Sequence, residues 1–305
     1  MRFCWRLPVV RSLGFRRRNL AVLGLGMLIG AVGLPQAAVS QGSPPTEAAA
    51  RALVPQDVRE KGSLVAGMPL DFEPFNFLDE KNDQVGVDVE IFRAIAAVLG
   101  LKPDIQRIGF AAIIPAVNGG RVDVGMSAMS ILKTRLPQVS FVRYANAGNG
   151  LIVPKGNPKN VKTTEGCGLS IAGEKGTQPL FLWQDIAKQC ETSGKAKVTI
   201  LVFDGKGPQV LAVEAGRADA AAVTYATAVV ASEHSAGKLE LAPGGLIPGG
   251  TVDCGIAFGK NRPQLGQAID AALEILVANG TYDRLFDKWH LGIEKSTPMI
   301  VQDTP

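Results

Sequence analysis

Beyond residue 63 the sequence alternates short apolar runs with segments of helical spacing, and it does so twice. Residues 64–67 form the first apolar run. From Asp88 onward the pattern changes: Ile91, Ile95, Val98 and Leu99 recur at helical spacing, with Asp88 as the candidate N-cap and Gly100 as the stop. A second run begins at Ile105, helical spacing returns through Ile113, Ile114 and Val117, and residues 122–125 are strand-like again. The second half keeps the same order, with strands over 169–172, 198–203 and 220–223 separated by helices over 177–189 and 210–215. Strands alternating with helices specify an α/β fold, here with each unit an open, mostly parallel sheet flanked by helices.

The two halves also share a motif. AVNGGRVDVGMSA (116–128) and AVEAGRADAAAVT (212–224) both carry Ala-Val, then Gly-Arg-x-Asp, then small residues, and their Gly-Arg pairs stand 96 residues apart. That interval is about one small α/β unit; the alternative is a chance match in a chain rich in Ala and Gly. Ligands in open α/β sheets bind beyond the carboxyl ends of the strands. The first copy would deliver residues 127–130 there, and the second Thr224 and Tyr225. Downstream, Pro263, Leu265, Ile269, Ala272, Leu276 and Gly280 outline a long amphipathic helix, and Thr281 is the candidate cap of a final helix containing Trp289.

The first forty residues hold six arginines and no acid, followed by an apolar run over 20–34 that is short and Gly-rich for a bilayer span. This is the composition of a signal peptide over residues 1–40, cleaved after Ser40 or Ala38; an uncleaved anchor is the other reading. Residues 41–55 read as a flexible arm. Without the leader's six, the 32 basic residues fall to 26 against 28 acids, a net charge of −2. Nothing there forms the basic face that nucleic acid needs. The remaining 265 residues exceed what one core usually serves, which favours two domains. In an exported chain, Cys167 and Cys190, flanking one strand-and-helix segment, suggest a disulfide, while Cys254 lies in an apolar run and reads as an inert buried thiol. The two histidines, His234 and His290, are far apart, so neither a metal site nor Ser-His-Asp catalysis finds support. No catalytic residue, metal or cofactor is expected.

Between residues 124 and 164 there are six Lys or Arg and no acid, and Arg135 lies just past the strand at 122–125. A guanidinium forks two hydrogen bonds to a carboxylate, so a ligand carboxylate is one partner for Arg135; a solvated loop residue is the plain alternative. Gly176-Thr177-Gln178 opens a helix whose first N–H groups, with the Thr177 hydroxyl, make an anion site in the other half of the chain. A carboxylate between Arg135 and that helix start would touch both halves. In DFEPFNF, Phe72 and Phe75 flank Pro74, a stiff aromatic loop able to wall an apolar pocket; core packing suits Phe75 and Phe77 better than Phe72.

An ordered set of motifs now stands out: VREKGSLVAG, DFEPFNF, GVDVEIFRAIAAVLGL, FAAIIPAVNGGRVDVGMSAMS, TRLPQVSF, GEKGTQ, AVEAGRADAAAV, GIAFGKN and GTYDRLFDKWHLG. In these the chain resembles the periplasmic solute-binding proteins of polar amino-acid ABC importers, extracellular solute-binding family 3, over about residues 53–292. The resemblance implies a two-lobed periplasmic binding protein fold of type II. Lobe 1 would comprise 56–148 plus 252–295 and lobe 2 149–251, with hinges near 147–151 and 249–254 and a tail over 296–305. EGCGLS and AKQCETSGK resemble the branch of the family that joins the equivalents of Cys167 and Cys190.

By position, the resemblance implies that Arg135 clamps the ligand carboxylate and Thr177, with Gln178 beside it, shares it. Phe72 would stack on the ligand, Phe110 form a second wall, and Ser130 make a polar contact. Two departures follow. Leu132 stands where the family usually has Thr, and the acid that usually grips the ligand ammonium is absent from Val223-Thr224-Tyr225. A buried cation needs an anionic partner or an oxygen cage, so a carboxylate without an ammonium becomes a candidate ligand. The function implied is capture of a small carboxylate-bearing solute, an amino acid or analogue, by a periplasmic monomer that delivers it to a membrane ABC permease. A dehydratase-like enzyme on the same fold, with Glu73, Glu174 or Asp204 as its acid, and an accessory or sensory module are the alternatives.

Overall fold

The computed structural model describes residues 44–163, 165–247 and 251–302, so the expected signal peptide lies outside the described residues. Helices α1 (Glu47–Ala52) and α2 (Gln56–Lys61) lead into β1 (Ser63–Met68), then a ribbon of β2 (Asp71–Phe72), β3 (Asn76–Leu78) and β4 (Gln84–Val85). Next come α3 (Val87–Leu99), β5 (Lys102–Arg107), α4 (Ile113–Asn118), β6 (Val124–Ser130) and β7 (Val139–Ala147). The middle of the chain forms β8 (Asn149–Pro154), β9 (Ser170–Glu174), α5 (Gln178–Thr192), β10 (Thr199–Phe203), α6 (Lys206–Glu214), β11 (Ala220–Thr224), α7 (Tyr225–His234) and β12 (Leu239–Leu241). It ends with β13 (Val252–Gly259), α8 (Pro263–Ala278), α9 (Thr281–Lys288) and β14 (Lys295–Val301).

These strands form two large sheets, ordered β14-β7-β13-β6-β1-β5 and β10-β9-β11-β8-β12. The protein therefore has two α/β lobes, the second built from the chain between β7 and β13. Pairing is parallel across β6-β1-β5 and across β10-β9-β11, where helices connect the strands. It is antiparallel where β7, β8, β12, β13 and β14 join, so each sheet is mixed. Gly148 alone separates β7 from β8, and these two strands lie in different sheets, so the chain passes from one lobe to the other through a single residue. Residues 249 and 250, part of the second expected hinge, lie outside the described residues.

The Gly-Arg-x-Asp motif has the same geometry in both lobes. After α4 the Arg121 N–H donates to Ala116 O at 2.9 Å, and after α6 the Arg217 N–H donates to Ala212 O at 2.8 Å. Gly120 and Gly216 both turn the chain at φ +67°. Asp123 then accepts from the Val65 N–H of β1 at 2.8 Å, and Asp219 from the Ser170 N–H of β9 at 2.8 Å. Each motif thus ends a helix and clips the next strand to its parallel neighbour. The match of 116–128 with 212–224 is a structural repeat rather than an accident of composition.

Four local expectations are corrected. The expected arm over 41–55 is helical at Glu47–Ala52: its small residues let Ala50 and Val54 bury in the first core, and Arg51 Nε donates to Val98 O at 2.8 Å. Residues 296–301 of the expected tail belong to β14, which pairs with β7 and covers what would be that sheet's open edge. Asp88 is not a cap; Gly86 takes the N-cap position at φ 117° and Asp88 turns inward to buried donors. Thr281 is likewise displaced as cap by Gly280, and its N–H is held by Asn279 Oδ1 at 2.9 Å. Cys167 and Cys190 form a disulfide, and Cys254 is a buried free thiol.

Candidate functional site

The carboxyl ends of β6 and β11 point at a cavity whose walls come from both lobes. Phe72, Phe110 and Ser130 supply the first lobe's side. Phe72 packs on Phe75 with ring centroids 4.6 Å apart, and Phe75 itself is fully buried behind it. The loop is held from below by Asn76, which donates to Asp88 Oδ2 at 2.9 Å and to Ser127 Oγ at 3.2 Å. Asp88 also accepts from the Tyr144 hydroxyl and from the Ala128 N–H. Burial pushes the Asp88 carboxyl up to about 6 even against those donors. One buried network thus fixes the aromatic loop and the end of β6, which is what positions Phe72 and Ser127 at the cavity.

Arg135 is 6 % exposed and makes no ion pair among the described residues. Its Nη1 donates to Ser130 O and its Nη2 to Gly176 O, both at 2.6 Å, and its Cζ lies 5.4 Å from the Phe110 ring centroid. Burial lowers its pKa to about 10, so it remains charged at neutral pH. Gly176 belongs to the second lobe, so this guanidinium bridges the two lobes beside Phe110 and Ser130 of the cavity wall, without itself lining the cavity. Other ties across the cleft join Lys206 N–H to Asp71 Oδ2 at 3.3 Å and the Thr227 hydroxyl to Glu73 O at 3.2 Å.

On the second lobe's side, Glu174, Thr177, Gln178 and Thr224 line the cavity. Thr177 is the N-cap residue of α5, but its hydroxyl donates to Glu174 O at 2.7 Å rather than capping the helix. Pro179 sits in the first turn and carries no N–H, so that turn offers fewer donors than its position alone implies. The Gln178 side chain accepts from Asn149 Nδ2 at 2.6 Å. Thr224 caps α7, accepting from the Thr227 N–H at 3.3 Å, which is why a short hydroxyl side chain suits this position. Tyr225 is corrected: as the first residue of α7 it is carried over Gly150 and does not line the cavity.

Lys206 was not foreseen. It lines the cavity at 7 % exposure, with Nζ 2.7 Å from Glu174 Oε2 and 3.8 Å from the Phe72 ring centroid. The helical spacing seen from Val210 hid it, because α6 begins at Lys206. Glu174 is 2 % exposed, and burial raises its pKa against the pull of Lys206. Of the other candidate acids, Glu73 stands 3.5 Å from His234 Nδ1, and neither it nor Asp204 lines this cavity. No cluster of metal-binding side chains occurs among the described residues.

Comparison with known proteins places this geometry. Residues 64–292 match the bacterial extracellular solute-binding proteins, family 3. The chain is 30% identical over 251 residues to the arginine-binding protein ArgT of Corynebacterium glutamicum, covering 80% of this chain and 79% of that one. An ancestral arginine-binding protein solved with arginine superposes with a TM-score of 0.67 at 29% identity, over 75% of this chain and 98% of that one. An ancestral amino acid-binding protein described as a precursor of cyclohexadienyl dehydratase superposes with a TM-score of 0.63 at 25% identity, over 78% and 99% of the two chains. Two mixed sheets, a repeated strand clip and a cleft walled from both sides are thus accounted for by descent: the chain belongs to the bacterial extracellular solute-binding proteins, family 3.

Proposed function

We propose that this protein captures a small carboxylate-bearing solute, an amino acid or analogue, in the cleft between its lobes and delivers it to a membrane ABC permease. The observation that carries the reading is Arg135, a buried cation that reaches across the cleft to Gly176 O without an acidic partner among the described residues. A carboxylate is a stronger partner for a guanidinium than a carbonyl, and one held there touches both lobes. Its binding free energy then favours the closed arrangement over an open one by the difference in affinity between the two. Relatives named as arginine-binding and glutamine-binding proteins support the amino-acid class. The lobes assigned are 56–148 with 252–295, and 149–251, acting as a periplasmic monomer without nucleic acid, cofactor or catalysis. A thermal-shift screen over amino acids, dicarboxylates and aromatic acids tests the reading, because a ligand held only by the folded form raises the melting temperature. Arg135→Ala is expected to erase the shifts that the wild-type protein shows.

A second reading is favoured by one observation. Glu174 is a buried carboxyl on the cavity wall with a raised pKa, the attribute of a general acid, and the likeness to a dehydratase precursor points the same way. Its ion pair with Lys206 pulls that pKa back toward the ordinary carboxylate range, which favours binding over catalysis. Turnover of prephenate or arogenate, abolished by Glu174→Gln, would reverse that preference.

A further inference from the structure

The position occupied by the Lys206 ammonium has the composition of a cation site. Its Nζ lies 3.8 Å from the Phe72 ring centroid and 5.7 Å from that of Phe110, and it donates to Glu174 Oε2 at 2.7 Å. Aromatic faces beside a buried carboxylate are what hold an ammonium or guanidinium in a dry cleft. Here the chain supplies the cation itself. Lys206 opens α6, and its N–H is held by Asp71 Oδ2 at 3.3 Å, so backbone and side chain are fixed together. Glu174 Oε1 is buried as well and has no hydrogen-bond partner among the described residues.

We propose that Lys206 is a specificity-determining residue whose ammonium fills the aromatic and acidic position open to a cationic ligand side chain, so that the cleft accepts carboxylates with a neutral, hydrogen-bonding far end and rejects those ending in an ammonium or guanidinium. This rests on the reading of Arg135 as the carboxylate partner. A second cation beside Lys206 meets like-charge repulsion and competes for the carboxylate that Lys206 already holds. A carboxamide, urea or hydroxyl group meets neither obstacle. It accepts a hydrogen bond from the Lys206 ammonium and donates one to Glu174 Oε1.

The test uses pairs matched in shape and differing in charge: 4-ureidobutyrate against 4-guanidinobutyrate, and L-citrulline against L-arginine, titrated calorimetrically into the full protein. The first pair lacks an α-ammonium, so the result does not depend on whether that group is recognised. Wild-type protein is expected to bind the neutral member at least about tenfold more tightly, the scale of a desolvated cation–π contact. Lys206→Met is expected to reverse the preference by freeing Phe72 and Glu174, and adding Glu174→Gln to cancel the reversal. Should Lys206→Met fail to fold, Lys206→Gln keeps a donor toward Glu174, and the wild-type ratio decides without either variant. Equal or tighter binding of the cationic members by the wild type overturns the proposal, as does no binding of any of the four. Failure of the underlying reading is distinguishable, since Arg135→Ala would then bind the neutral members as the wild type does.

Discussion

The Arg135 side chain, rooted beyond β6 in the first lobe, donates to the carbonyl oxygen of Gly176 in the second at 2.6 Å. Gly176 immediately precedes Thr177, the N-cap residue of α5, so the guanidinium reaches the start of a helix whose N-terminal end is electropositive. Two positive features facing one cleft attract an anion and repel each other. A carboxylate held between them, as proposed above, would relieve that repulsion and link the lobes, coupling ligand capture to closure.

The buried network behind the cleft is expected to be costly to break. Tyr144 donates to Asp88 and accepts from the Ala128 N–H at 3.0 Å, with both side chains fully buried. Tyr144→Phe leaves a buried carboxyl and an amide short of a partner, a loss of about 1–3 kcal/mol. Urea unfolding of the two proteins measures it, and unchanged stability would show that the hydroxyl contributes nothing net.

Stability is expected to fall as the pH rises from about 5 to about 8.5. Burial, the first cause in each case, raises Asp88 and Asp270 from 3.8 to about 6 and Glu294 from 4.5 to about 8. Folded pKa values above the unfolded ones mean that the native state keeps protons the unfolded chain has released. The contribution of these groups is therefore fully present below the unfolded values and lost as pH rises through the folded ones. Thermal melts across that range should show a falling midpoint, and Glu294→Gln should flatten the upper part of the curve. A midpoint that rises steadily toward pH 8.5 would contradict the assignment.

The disulfide closes a loop with a sequence separation of 23 residues within the second lobe. Replacing Cys167 and Cys190 by Ala is expected to cost about 3 kcal/mol, through the larger conformational freedom of the unfolded chain. Neither cysteine lines the cleft cavity, so ligand affinity at 25 °C should be retained while the melting temperature drops. A parallel loss of affinity would mean that the bridge shapes the cleft.

Much of this arrangement was legible because strand ends announce themselves. The Gly-Arg-x-Asp motifs located both strands that point into the cleft, and the acid-free neighbourhood of Arg135 singled out a cation that proves buried and bridging. Lys206 was illegible for a definite reason: α6 begins in KGP, where Gly207 and Pro208, residues of low helix propensity, stand ahead of the apolar spacing that marks a helix in sequence. Asp88 and Tyr225 failed differently. Their types suit a cap and a pocket wall, but tertiary packing turned one inward and the other over Gly150, and local pattern carries no record of either.

Calorimetric titration of wild-type and Arg135→Ala protein with the carboxylate that gives the largest thermal shift tests the central claim most directly. Loss of about 2–5 kcal/mol of binding free energy on removing the guanidinium is the expected result, the range for stripping the partner from a desolvated ion pair. Equal affinity in the two proteins would contradict it.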